Sequence, residues 1–217
     1  MGTRYLTVII KNNEVKLSQY GQFDGYPECA GKKFIKFVRG TLSNKDTERY
    51  NIKKKLFNEK VDLLKEANSD THKVYDKVFH KLGCTHGNDS EYAIPLDILF
   101  PQFSRETGVD ILDIIKKLTP HDFQRFEDNG CGYKQKWHFP VMIDTACTYI
   151  EYAYIIDLDN DRLYMLTSHD FTGSALPTSE LVEETFKPLK CWYSTPIQET
   201  PTIKALLDYA KQIKLTE

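Results

Sequence analysis

Arg4-Tyr5-Leu6-Thr7-Val8-Ile9-Ile10, then Lys11-Asn12-Asn13-Glu14, then Val15-Lys16-Leu17-Ser18-Gln19-Tyr20-Gly21-Gln22, is the stretch on which the fold class turns. The first run is β-branched and aromatic, which marks a strand, and the two asparagines tolerate the positive φ of a tight turn. Leu6, Val8 and Ile10 fall on one face of that strand, Tyr5 and Ile9 on the other. A strand apolar on both faces belongs inside a sheet that is covered from both sides. With Asn12-Asn13 as a two-residue turn, the register predicts Ile9 opposite Lys16, Leu6 opposite Gln19 and Thr3 opposite Gln22. The start of the chain then lies beside Gln22-Phe23-Asp24-Gly25-Tyr26-Pro27.

Outward from this hairpin, Gly31 to Arg39 reads as a short helix closed at Gly40. Ser43 with Asp46 resembles a capping box opening a polar helix over 44–67, with Ile52, Leu56, Val61 and Leu64 as its apolar stripe. Asp70 is the candidate cap of the next helix, which Gly83 ends, so 44–82 reads as an inserted, Lys-rich helical hairpin. Residues 83–103 read as loop, and Thr107 with Asp110 as the cap of a helix over Val109 to Leu118. A second hairpin is predicted from Thr148–Leu158 and Leu163–Leu166 around Asn160-Asp161, pairing Asp157 with Tyr164, Tyr152 with His169 and Glu151 with Asp170. Thr178 to Leu181 opens a short helix, and Thr200-Pro201 starts a closing helix carrying Ile203, Leu206, Leu207, Ala210 and Ile213. Antiparallel strand pairs alternating with blocks of helices predict a single α+β domain over 1–217.

Composition narrows the function. The chain has 217 residues, 41% hydrophobic and 28% charged, with 29 basic and 31 acidic residues for a net charge of −2. This is ordinary globular usage, and the near-neutral balance argues against wholesale nucleic-acid binding. No apolar run approaches the roughly 18 residues that span a bilayer, so no membrane role is expected. Cys29, Cys84, Cys131, Cys147 and Cys191 are odd in number and contain no CxxC pair, which points to a reducing, cytoplasmic setting.

The densest polar cluster gathers Thr3, Arg4, Gln19, Gln22, Asp24 and Tyr26 at the open end of the first hairpin. Arg4 offers a planar fork for phosphate or carboxylate, Asp24 accepts protons or orients a ligand, and Tyr26 stacks or donates. The same residues read equally as a plain turn closed by an Arg4–Asp24 ion pair. Glu151, His169 and Asp170 form a secondary candidate, since paired carboxylates beside an imidazole suit acid–base work. That cluster also reads as a solvated hairpin end. Asp157, Asp159 and Asp161 superficially open an EF-hand loop, but Arg162 and Ser168 stand where the motif needs Gly and Glu. Cys84, His86, Cys131 and His138 carry zinc-ligand chemistry at spacings of no ordinary zinc site. No metal and no cofactor is expected, and no Walker loop, G-x-G-x-x-G or G-x-S-x-G is present. The basic Lys53-Lys54-Lys55 run, with Tyr50 and Phe57, reads as a solvated helix face.

Met1-Gly2-Thr3-Arg4 together with Gln19-Tyr20-Gly21-Gln22-Phe23-Asp24-Gly25-Tyr26-Pro27 resembles an uncharacterised family of phages, bacteria and fungi. Its members begin Met-Gly/Cys-Thr-Arg and carry Tyr-Gly-Gln-Trp-Asp-Gly-Tyr-Pro; here position 23 is Phe. Tyr152 to Asp159 is similar to the late hairpin of that family. The resemblance implies where a site lies and leaves the reaction open. The Cys variant at the second position implies a distant likeness to N-terminal-nucleophile hydrolases and their four-layer fold. Gly2 carries no nucleophile, which leaves Thr3 as the nucleophile candidate and Asp24 as the base. Three functions follow. The first is a cytosolic protein binding a small polar or anionic ligand, nucleotide-derived compounds among the candidates, through Arg4, Gln19, Gln22, Asp24 and Tyr26. The second is an amide or related hydrolase using the same pocket. The third is a phage-type module that inhibits a protein partner through 44–82.

Overall fold

A computed structural model describes residues 2–81, 100–118 and 139–215. In chain order the elements are β1 (Tyr5–Lys11), β2 (Glu14–Gly21), α1 (Lys32–Thr41), α2 (Thr47–Val61), β3 (Leu64–Glu66), α3 (Ser69–Lys81) and α4 (Ile111–Lys117). They continue with β4 (Phe139–Val141), β5 (Tyr152–Asp157), β6 (Arg162–Thr167), α5 (Glu180–Thr185), β7 (Lys190–Pro196) and α6 (Ile203–Gln212). The main sheet runs β2-β1-β5-β6-β7, and β3 pairs with β4 in a separate two-stranded sheet. Within the main sheet β1 and β5 are parallel and the other pairs antiparallel, so the class is α+β. Among the described residues, the second sheet that a four-layer arrangement requires is represented only by the β3–β4 pair.

β1 lies between β2 and β5, as its two apolar faces demand. Leu6, Val8 and Ile10 pack with Ala153, Ile155, Val182 and Phe186 on one side of the sheet. Tyr5 and Ile9 join the larger cluster on the other, with Phe34, Ile35 and Val38 of α1 and Leu206 and Ala210 of α6. Each such large side chain, fully buried, contributes about 1.5–3 kcal/mol of transfer free energy.

Both hairpin registers depart from the expectation, for identifiable reasons. Asn12 and Asn13 have φ of 57° and 55°, a type I′ turn, and Ile10 faces Val15 as the two-residue turn requires. A bulge then shifts the pairing, so that Ile9 faces Leu17 and Leu6 faces Tyr20. Without it Lys16 would share the buried face of Ile9; the bulge puts fully buried Leu17 there instead and leaves Lys16 to pair with Glu14. In the late hairpin Asp157 faces Arg162, not Tyr164, and Tyr152 faces Thr167, not His169. The Asp157 carboxylate binds the backbone N–H groups of Asp159 and Asn160, which holds Leu158–Asp161 as a wider loop.

Helix ends shift in the same small way. Asp46 alone caps α2 by accepting from Arg49 N (2.9 Å), while Ser43 Oγ donates to Gln198 O. Asn68 caps α3 in place of Asp70, and Thr202 caps α6 in place of Thr200. No side chain caps α4, which is entered through a 3-10 turn over Gly108–Asp110. The buried residues of α2 are Tyr50, Phe57 and Val61, whereas Ile52 and Leu56 are 54% and 55% exposed. Phe57 meets Phe37 at 5.7 Å and the Tyr50 hydroxyl donates to Asp161 (2.7 Å), so the two aromatics set the roll of the helix. Between α2 and α3 the chain forms β3, which ties the 44–82 stretch to Phe139–Val141. Gly83 and nearly all of the 83–103 segment lie outside the described residues. Among the described residues, no helix is long and apolar enough to cross a membrane.

Candidate functional site

Beyond Gly21, β2 parts from β1. Gln22 N donates to Arg105 O (3.0 Å), which draws the 101–105 segment across the end of the hairpin. The 142–150 segment approaches the same strand: Ser18 bridges Ile143, and Ser18 Oγ donates to Asp144 O. Between these two segments and the edge of β2 is a cavity of about 530 Å³. Arg4, Gln19, Gln102 and Arg105 line it, with Tyr20 and Tyr149.

The polar groups here are only partly used. The Arg4 guanidinium stands 5.7 Å from the Tyr149 ring centroid and has no hydrogen-bond acceptor among the described residues. Arg105 stands 5.4 Å over Tyr20 and donates through Nη2 to Gln22 Oε1 (2.6 Å). Tyr20 OH donates to that same oxygen (2.7 Å), so the amide of Gln22 fixes the cation against its ring. Gln19, 4% exposed, donates to Ser104 O (2.9 Å) and Tyr20 O (3.1 Å). Gln102 is equally buried, at 4%, and its amide has no partner among the described residues. Asp144 also lines the cavity, with Oδ1 accepting from Ala146 N (2.9 Å). Two cations against one anion leave the lining net positive, which suits an anionic ligand.

The residues singled out from sequence therefore separate. Arg4 and Gln19 line the cavity, and Gln22 holds Arg105 at its rim. Thr3 is buried and its carbonyl accepts from Gly25 N (3.1 Å), which replaces the expected Thr3–Gln22 pairing. Asp24 is exposed at φ 58° and makes no ion pair with Arg4. Neither Thr3 nor Asp24 lines the cavity. Tyr26 packs edge-on against Tyr152 (6.3 Å), and Tyr152 also meets His169 (5.3 Å). His169 Nε2 lies 3.2 Å from Glu151 Oε2, while Glu151 Oε1 accepts from Arg4 N (3.2 Å). Glu151 and His169 thus come together as a carboxylate–imidazole pair. Asp170 leaves them for Lys190 at 3.0 Å, which holds its carboxyl below the usual range.

The chain matches no family model, no curated protein and no solved structure.

Nothing local in the sequence marks Arg105 or Gln102: Gln102 falls at the end of the 83–103 stretch that reads as loop, and Arg105 between that stretch and Thr107. Tyr149 was read only as part of a strand, yet it sits in a 3-10 turn over Cys147–Tyr149 and is 72% exposed.

Next to the cavity lies a tyrosine cluster whose hydroxyls are engaged. Tyr154 OH donates to Gly25 O (2.7 Å), and Tyr5 OH accepts from Val109 N (3.1 Å). Burial raises both phenols above the ordinary tyrosine value, and it pushes Tyr152 up to about 12 with help from the Glu151 and Glu28 charges. Gly108 accommodates this packing: its φ is +45°, and a Cβ there would fall 2.0 Å from the Tyr5 hydroxyl.

The three aspartates of the calcium-like pattern each have separate structural work. Asp157, fully buried, accepts from Asp159 N, Asn160 N, Asn160 Nδ2 and Ser179 Oγ. Asp159 holds the first hairpin's turn through Asn12 N and Asn13 N, both at 2.8 Å. Asp161 binds Tyr50 OH and Lys54 Nζ. Among the described residues, no group of His, Cys, Asp and Glu could hold a metal ion. Cys84, His86, Cys131 and His138 lie outside the described residues.

Proposed function

We propose that this protein binds a small anionic ligand in the cavity at the end of the first hairpin, with Arg4 and Arg105 as the cationic contacts and Gln19 and Gln102 as neutral ones. The observation that carries the reading is the pairing of an Arg4 guanidinium without an acceptor and a buried Gln102 amide without a partner, both on one cavity. A guanidinium and a neutral amide that open on one cavity, neither committed to a partner among the described residues, make a suitable complement for an anion. Thr3 and Asp24 lie off the cavity; a hydrolytic role would instead draw on the Glu151–His169 pair, whose carboxylate orients the imidazole.

The test is calorimetric titration of the protein with inorganic phosphate and with ribose phosphate, wild type against Arg4→Ala and Arg105→Ala. Saturable binding of an anion that each substitution weakens by about tenfold or more supports the reading. Binding that is indifferent to both substitutions sinks it.

A further inference from the structure

We infer that the anion this cavity accepts is a nucleoside monophosphate, its base seated on the buried glutamine amides and its phosphate on the two arginines. This rests on the anion-binding reading above and narrows it.

The amides supply the first argument. Gln19 commits its Nε2 donors to Ser104 O and Tyr20 O, which leaves its Oε1 as an acceptor. Gln102 has both ends of its amide open. The amide is not sealed in the core either. Among the described residues, the enclosed side-chain polar atoms without partners are Thr7 Oγ1, Asn58 Oδ1 and Trp192 Nε1, and Gln102 contributes none. Its amide therefore opens on the cavity it lines. Together the two side chains present two acceptors and one amino donor group. A heterocycle edge that alternates ring acceptors with N–H donors is their complement, and a glutamine amide reads such an edge through paired hydrogen bonds.

The walls supply the second. Phe103, Met142, Tyr149 and Ile150 line the same cavity, and they offer apolar faces to a planar ring. Inorganic phosphate would leave these faces and both amides uncovered in a space of about 530 Å³. The arginines supply the third. Each is held over a tyrosine, Arg4 over Tyr149 and Arg105 over Tyr20, so both forks are oriented before a phosphate arrives. Gln22 fixes Arg105 further through Nη2.

The experiment is calorimetric titration of the full chain with adenosine, guanosine, cytidine and uridine monophosphates and with ribose phosphate, at one ionic strength. At least one nucleotide is expected to bind about tenfold or more tighter than ribose phosphate, the margin a paired amide contact supplies. Gln102→Leu is expected to erase that margin, bringing the nucleotide down to the affinity of ribose phosphate for the same variant, and Arg4→Ala to weaken every ligand. Gln102→Met serves as the second variant should the leucine form lose its fold by circular dichroism. The wild-type panel alone decides the class. Ribose phosphate binding as tightly as every nucleotide overturns the nucleotide inference and leaves the anion reading standing. No binding of any of these compounds overturns both.

Discussion

The parallel pair β1–β5 has a polar cluster at each end, and the two clusters look alike as residue types. At the turn end, Asp157, Asp159 and Asp161 are surrounded by donors, and each carboxylate joins two pieces of chain. At the starting end, Arg4, Gln102 and Arg105 line a cavity with hydrogen-bonding capacity unused among the described residues. The difference separates structure from site. A polar group whose partners are all within the chain stabilises the fold, and one without a partner in the chain keeps its hydrogen-bonding capacity for water or for the anion proposed above.

The sharpest way to break this contrast is at the turn end. Asp157→Ala strips four donors of their common acceptor and is expected to cost about 3 kcal/mol or more of unfolding free energy, measured in urea. A loss below about 1 kcal/mol would mean that the turn cluster is not structural.

Alkaline titration tests the cluster beside the cavity. Tyr152 titrates near 12 in the fold, and Tyr5 and Tyr154 are also raised, so the unfolded chain releases these protons first. Stability is then fully present below about pH 10, the unfolded tyrosine value, and falls as the pH rises toward 12. Tyrosinate absorbance from these rings is expected to appear together with loss of the fold. Early, non-cooperative ionisation of the buried rings with the fold intact would contradict the burial that raises them.

The smallest effect is expected at the cavity. Neither Arg4→Ala nor Arg105→Ala breaks an ion pair among the described residues; Arg4→Ala is expected to shift unfolding by within about 0.5 kcal/mol, and Arg105→Ala, which loses the hydrogen bond to Gln22, by about 1 kcal/mol. Thermal melts of the two variants check this. A collapse of either would make the cluster structural, like its counterpart at the turn.

What could be read ahead of the structure follows the range of the forces involved. The central place of β1 was readable because Leu6, Val8 and Ile10 against Tyr5 and Ile9 is a local pattern. The bulge at Lys16 was not, because it answers to which side chain the helices behind the sheet accept. The roll of α2 was misjudged for the same reason, with Phe57 and Tyr50 finding partners in α1 and at Asp161. At the site, Arg4 and Gln19 were found because one hairpin holds both. Arg105 and Gln102 arrive from a segment more than eighty positions away, and no spacing within either segment records that meeting.

Native mass spectrometry of protein purified from a cell lysate, wild type beside the Arg4→Ala/Arg105→Ala double variant, shows whether the cavity holds an anion. A small anionic adduct is expected on the wild type and absent from the double variant, which remains folded. An adduct carried equally by both proteins, or none on the wild type, would contradict it.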